Sequence, residues 1–314
     1  MPDEMWDVVI VGGGAAGLSA ALILARARRR VLVLDAGAPR NRFAPHMHGV
    51  LSRNGYSPLQ LVEDGRREVR AADGVIATGR VTEVRRAERG FALTTEDGEQ
   101  IRAGRLIVAT GIRDVLPPID GLAEQWGRGV VACPYCDGYE ARETAIGVLA
   151  ASVLGLHKAQ MVRSYSANVT VFTDLVGPVP EEDLRALRVR GIVVDDRTVT
   201  RVLTDGDTLI GVQLADGTSV PLDVLFAEPQ MVPLDDLLRQ LEAERSESLF
   251  GPWTASDAMG KTSVEGVWVA GNTANPAALV PVAAASGVTA ALAVNTELVA
   301  QDVRDALAAA EVAA

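Results

Sequence analysis

Residues Asp7-Val8-Val9-Ile10-Val11-Gly12-Gly13-Gly14-Ala15-Ala16-Gly17, followed by an Ala/Leu-rich stretch and then by Val31-Leu32-Val33-Leu34-Asp35, decide the fold. A short β-branched run, a glycine turn, a helical segment and a second apolar run ending in an acid predict one β-α-β unit. The spacing is that of a dinucleotide-binding turn. Gly12 permits the tight turn, Gly14 lets backbone approach a pyrophosphate, and Gly17 lets helix and strand pack closely. Asp35, about 20 residues on, is placed to accept ribose hydroxyls. The N–H groups at the helix start, around Ala15 and Ala16, face the phosphates.

The length of 314 residues is that of two ordinary domains. A composition of 48% hydrophobic and 23% charged residues excludes disordered, collagen-like and coiled-coil chains. Lys and Arg number 30 against 41 Asp and Glu, a net charge of −11 that repels a nucleic-acid backbone. The basic runs Arg26–Arg30 and Arg85-Arg86 read as solvated ends of elements. The two cysteines, Cys133 and Cys136, are too close together to staple a secreted fold, so their value is chemical. Asp3 and Glu4 stand where a secretory signal wants positive charge, which gives a cytoplasmic expectation. The uncharged stretch 267–296 contains Asn272, Asn275, Pro276 and Pro281, and no membrane span is expected there.

Two further apolar strands end in turns, Arg105-Leu106-Ile107-Val108-Ala109-Thr110-Gly111 and Gly266-Val267-Trp268-Val269-Ala270-Gly271-Asn272. With the N-terminal fingerprint they resemble the FAD domain of the glutathione and thioredoxin reductase superfamily. The resemblance implies FAD as cofactor, held by Gly12, Gly14, Ala15, Ala16, Gly17, Asp35 and Ala36. Arg42, Ala109, Thr110, Gly111, Gly271, Asn272 and Val280 complete the implied contacts. The family usually has Asp where this chain has Asn272, and Asn can still hydrogen-bond a ribityl hydroxyl. Leu279-Val280 replaces the family's Arg-Gln before the C-terminal helix.

The segment Leu116–Gly121 reads as a linker. A second β-α-β unit is expected from a strand at 144–151, a helix at 155–165 and a strand at 168–173. The resemblance makes this an α/β protein of two Rossmann-like domains in the low-molecular-weight thioredoxin reductase layout. The FAD domain, discontinuous, would comprise 1–116 and 229–314, and a degenerate NAD(P)-binding-like domain 117–228. In the turn Gly147–Gly155, bulky residues stand where a pyrophosphate needs bare backbone, and Asp174 follows the next strand without an Arg. The second domain is therefore expected to keep the fold without the nucleotide. The segment 235–262 reads as a helix and loops.

Ala132-Cys133-Pro134-Tyr135-Cys136-Asp137-Gly138 holds every sulfur able to do thiol chemistry. It resembles the Cys-x-x-Cys-Asp-Gly of thioredoxin reductases. That resemblance implies that Cys136, nearest the following helix, is the thiolate facing the flavin, that Cys133 is the interchange thiol, and that Asp137 shuttles protons. A zinc site completed by His46 and His48 is the metal alternative, and no metal is the expectation. The loop Pro39–Gly49 carries both histidines, as backbone caps or as a base for substrate thiols. His157 reads as structural.

The reductase-like FAD domain, Cys-Pro-Tyr-Cys, the degenerate nucleotide turn and His46-Met47-His48 together resemble the thioredoxin-reductase-like dithiol oxidases of the holomycin and gliotoxin type. That branch implies a small-molecule dithiol substrate closed to a disulfide, dioxygen as acceptor and hydrogen peroxide as product. Asp137 is the reductase-like choice at its position. The rival is a thioredoxin-reductase-like protein-disulfide reductase fed by ferredoxin or another non-nicotinamide donor, and a third reading is an FAD-binding module without turnover. The Ala-rich segment 283–314 is a candidate contact surface of a homodimer, and Trp126, Tyr135, Tyr139 and Trp253 are candidate pocket walls.

Overall fold

Alternation along the first apolar run places Val8 and Ile10 in one core layer and Val9 and Val11 in another, so the strand is covered on both faces. In this computed structural model, which describes residues 5–313, that run is β1 (Trp6–Val11). The expected unit continues through α1 (Ala15–Arg26) to β2 (Val31–Asp35), parallel to β1 with Val8 opposite Val31 and Val11 opposite Leu34. Next come α2 (Pro58–Ala71), β3 (Val75–Thr78), the antiparallel pair β4 (Val81–Arg86) and β5 (Phe91–Thr95), and β6 (Gln100–Val108). The sheet order is β3-β2-β1-β6-β5-β4. The chain therefore reverses its direction of travel between β1 and β6, and their carboxyl ends flank a crevice suited to a ligand.

The described residues form two compact units, residues 5–40, 59–113 and 231–313, and residues 41–58 with 114–230. Residues 41–58 group with the second unit, whereas the sequence left them in the first domain. The physical reason lies in packing. Gly127 lies so close to the backbone and Cβ of Phe43 that a side chain at 127 would strike them, and the His48 ring reaches Glu140.

After β7 (Ile112–Val115), the second unit runs through β8 (Val130–Val131), α3 (Pro134–Asp137), β9 (Ile146–Leu149), α4 (Val153–Val162), β10 (Val169–Phe172), α5 (Glu181–Val189) and β11 (Val193–Asp195). A three-stranded antiparallel sheet of β12 (Val199–Asp205), β13 (Thr208–Leu214) and β14 (Ser219–Pro221) precedes β15 (Val224–Ala227). The strands of the main sheet are parallel in the order β11-β10-β9-β15-β8. Here the reversal falls between β9 and β15.

The chain re-enters the first unit through β16 (Gln230–Pro233) and α6 (Asp236–Gln240). The loops expected before residue 262 contain a hairpin, β17 (Arg245–Ser248) and β18 (Gly251–Thr254), whose turn is tied by Ser248 Oγ. β19 (Val267–Val269) then joins the second half of β6 in parallel, and α7 (Val280–Ala313) closes the chain. α7 is long and apolar enough to cross a membrane by length and composition. Its Ala283, Ala290, Ala291 and Val294 pack in the core with α1. Arg29, read as solvated, instead donates to Asn295 and Asp302 of α7. The expectation drawn from Asp3 and Glu4 lies outside the described residues.

Gly14 and Gly17 offer a direct contrast. An added Cβ at Gly14, whose φ is −80°, meets nothing within 4 Å, whereas one at Gly17 runs into the carbonyl oxygen of Gly12. Helix propensity favours Ala over Gly by about 1 kcal/mol. At residue 17 the clash outweighs it, so Gly17→Ala is expected to destabilise the protein by about 1–3 kcal/mol in urea unfolding. Gly14→Ala, at the extended N-cap of α1 where no atom is in the way, should cost less than about 1 kcal/mol. Equal midpoints for the two variants would contradict this account of the turn.

Candidate functional site

In the first unit the turn after β1, the end of β6 and the end of β19 meet at the carboxyl edge of one sheet. Gly12 adopts φ +108°, open to glycine, because the Ala109 backbone occupies the space a Cβ would need. Asp35 at the end of β2 is buried, accepts from Gly13 N at 3.0 Å and pairs with Arg66 of α2. At the far side, Gly111 N donates to Thr273 Oγ1 at 2.6 Å, and Thr110 Oγ1 donates to the Leu234 carbonyl at 2.6 Å. These contacts lock the Ala109–Gly111 turn to the segment after β19 and to Leu234 just before α6.

Gly271 adopts φ +68°, and its N–H donates to Ser286 Oγ of α7 at 2.7 Å. Asn272 Nδ2 points at the carbonyls of Asn275, Pro276 and Ala278 at 3.0–3.1 Å. Three carbonyls fix the amide orientation and give a reason for Asn here, since an Asp carboxylate would face them with like charge. Val280 opens α7, and Ala36 is exposed just beyond β2. The bare N–H groups after Gly14, and the open space at Gly14 and Gly111, make a cradle that fits a dinucleotide pyrophosphate.

In the second unit the cysteines follow β8 at the carboxyl edge of the parallel sheet. Pro134 opens the one-turn helix α3, so the helix begins between the two cysteines. Cys133 is its N-cap: Cys136 N donates to Cys133 Sγ at 3.2 Å. The hydrogen bond from the Cys136 side chain lowers the Cys133 thiol from 9.0 to about 7, against the opposing effect of burial. The sequence argument expected helix N–H groups to acidify the pair; at Cys133 the larger effect is the side-chain hydrogen bond from Cys136. Gly138 then packs against Tyr165 and the Pro134 carbonyl, where no side chain fits.

Asp137 ends α3. Burial raises its carboxyl from 3.8 to about 6, with His48 opposing and Glu140 adding to the shift. His48 Nδ1 stands 3.4 Å from Glu140 Oε1, within ion-pair range but without hydrogen-bond alignment. The 41–58 loop therefore brings His48, but not His46, into the group of Cys133, Cys136, Asp137 and Glu140. His46 is exposed and its Nδ1 faces the Gly55 carbonyl at 3.2 Å. Arg42 lies over the Phe43 ring at 4.1 Å. Among the described residues no group of three or more His, Cys, Asp and Glu could hold a metal ion.

Of the four suggested pocket walls, Tyr135 and Tyr139 flank the cysteines and are 69% and 65% exposed. Trp126 and Trp253 belong to the cores. Trp126 packs among Leu122 and Val130, and Trp253, fully buried, donates to the Thr273 carbonyl at 2.8 Å. Lys158 of α4 escaped the sequence reading. Its Nζ donates to the Ala227 carbonyl at 2.8 Å, and burial lowers its pKa while Glu228, Cys133 and Asp114 counter that shift. A lysine one position after His157 in a mixed helix carries no local signal of such a role; only the fold brings it near Cys133.

The crystal structure of HlmI is 42% identical, with a TM-score of 0.94 over 99% of this chain and 98% of that one. The thioredoxin reductase tcpT of Claviceps purpurea is 31% identical over 94% of each chain. The thioredoxin reductase sirT of Leptosphaeria maculans is 28% identical over 95% of this chain and 96% of its own. The model of the pyridine nucleotide-disulphide oxidoreductase family matches residues 6–287. With its glycine cradle and paired cysteines in that frame, the chain belongs to the pyridine nucleotide-disulphide oxidoreductases, a flavoprotein of that family whose cofactor is FAD.

Proposed function

We propose that this protein is an FAD-dependent dithiol oxidase that closes an intramolecular disulfide in a small-molecule natural product, with dioxygen as final acceptor. The observation that carries the reading is the Cys133–Cys136 turn, in which an acidified thiol stands beside a carboxyl that titrates near neutrality. The likeness to HlmI, tcpT and sirT supports it. A homodimeric, cytoplasmic protein belongs to the same proposal.

The chemistry follows from leaving-group acidity. One substrate thiolate attacks Cys133 Sγ of the enzyme disulfide, forming a mixed disulfide and releasing Cys136. The second substrate thiol then attacks its own bound sulfur and expels Cys133, so the substrate leaves as a cyclic disulfide and both cysteines are reduced. A thiol of lowered pKa departs faster, and the Cys136 N–H stabilises the departing charge. Asp137, near half-protonated at about pH 6, takes substrate protons and returns them to the cysteines, with His48 beside it. FAD would be held by the Gly12–Gly17 turn, Asp35 and the Gly271-Asn272 segment, and would supply a two-electron acceptor that dioxygen can reoxidise with release of hydrogen peroxide.

In an oxygen electrode, a small dithiol such as dithiothreitol should drive oxygen uptake with equimolar peroxide. Cys133→Ser and Cys136→Ser should each lose at least about 1,000-fold. Uptake driven by NADPH and not by the dithiol would overturn the proposal.

Asp137 also links stability to pH. Its folded-state pKa lies above the ordinary value, so between 3.8 and about 6 the folded protein holds a proton that the unfolded chain has lost. Stability therefore falls as pH rises through that window. Asp137→Asn removes the penalty: above pH 6 it should be more stable than wild type by about 1–2 kcal/mol, with no difference below pH 4. It should also slow dithiol turnover by about 100-fold. Parallel stability curves in urea unfolding from pH 4 to 7.5 would contradict the assignment.

A further inference from the structure

The reversal point of the second sheet lies between β9 and β15, and α4 starts at the carboxyl end of β9. A nucleotide bound to such a unit places its phosphates in that crevice, against the first N–H groups of the helix. In this protein the backbone donors that lead into that helix are already engaged, and Ser152 Oγ caps Leu154 N. Glu228, the first residue after β15, accepts from Ala151 N at 2.9 Å and Ser152 N at 3.0 Å through Oε2, and from Ser152 Oγ through Oε1. Two backbone donors and a hydroxyl around one anionic group are the contacts a phosphate oxygen pair would take.

Two further observations show that the crevice is built around this carboxylate. A Cβ at Gly155 would come within 2.5 Å of Glu228 Oε2, so the glycine of α4's first turn makes room for the protein's own acid. The Lys158 ammonium, on the same helix, interacts with Glu228 while donating to the carbonyl of Ala227. The first unit shows the opposite arrangement, with nothing near the Cβ position of Gly14.

We propose that Glu228 is a built-in anion that occupies the phosphate position of the second unit and so excludes pyridine nucleotides as electron donors. An entering diphosphate would meet spent donors and a fixed negative charge. Glu228 is thus a residue that determines donor specificity. The inference rests on the reading that electrons enter from a dithiol, and it deepens that reading.

The test uses the FAD-loaded protein, in which the phosphate site of the first unit is filled. Wild type, Glu228→Ala and the isosteric Glu228→Gln are titrated by calorimetry with inorganic pyrophosphate and with NADPH, after circular dichroism and flavin content confirm folding. Wild type should bind neither at millimolar concentration. Glu228→Ala should bind both at least about tenfold more tightly, with an affinity that falls as salt rises, and Glu228→Gln should lie between. Should the alanine variant fail to fold, the glutamine variant decides. Folded, flavin-loaded variants that bind no better than wild type would overturn the proposal, as would wild type binding pyrophosphate itself. The two readings fail separately. Wild-type flavin bleached by NADPH defeats the dithiol-oxidase reading, whereas variants that bind no NADPH defeat only the role of Glu228.

Discussion

The first N–H groups of a helix have no partners within the helix, and where a helix starts at the edge of a parallel sheet they favour a side-chain cap or an anion. This chain meets the demand in two ways. After β1 the glycine turn leaves the donors of α1 bare, and the backbone there is shaped for the pyrophosphate of FAD. After β9 Glu228 takes the N–H groups of Ala151 and Ser152 that lead into α4, and Ser152 Oγ caps Leu154 N. The same β-α-β geometry thus yields a cofactor cradle in one unit and a closed crevice in the other. The difference rests on one acid placed where the second sheet reverses direction.

The cysteine turn follows the same logic at smaller scale. Pro134 starts α3 one residue after Cys133, so the N-cap role falls on a sulfur. Burial opposes ionisation of both Cys133 and Asp137. For the thiol, hydrogen bonds from Cys136 win and the pKa falls; for the carboxyl, desolvation wins and the pKa rises. The two groups are brought toward neutrality from opposite sides. That is the condition for exchanging protons with a thiol substrate at ordinary pH. His48 enters this group from a loop far away in sequence, which explains why residues 41–58 pack with the second unit.

Much of this was legible in the sequence because it is local. Gly12, Gly14, Gly17 and Asp35 announce a β-α-β unit through spacing alone, and Cys133 and Cys136 are the chain's sole sulfur pair. The strands 105–110 and 267–271 end in turns that sequence reading places beside the cofactor. What escaped depends on contacts distant in sequence. Glu228 and Ser152 lie 76 residues apart, and the role of the acid appears only once β15 lies beside β9. Lys158 likewise reads as an ordinary helical lysine until the fold buries it. The hairpin at 245–254 lacks an Asn-Gly or Asp-Gly turn, and the side chains of Trp253 and Asn272 turn inward to satisfy backbone carbonyls.

The central claim is that electrons enter through the Cys133–Cys136 pair from a dithiol and not from a nicotinamide. The most direct measurement is an anaerobic titration of the yellow protein followed by flavin absorbance, with a small dithiol in one cuvette and NADPH or NADH in another. Bleaching by the dithiol alone, with colour returning together with peroxide when air is admitted, is the predicted result. Rapid bleaching by NADPH, with none by the dithiol, would contradict the account.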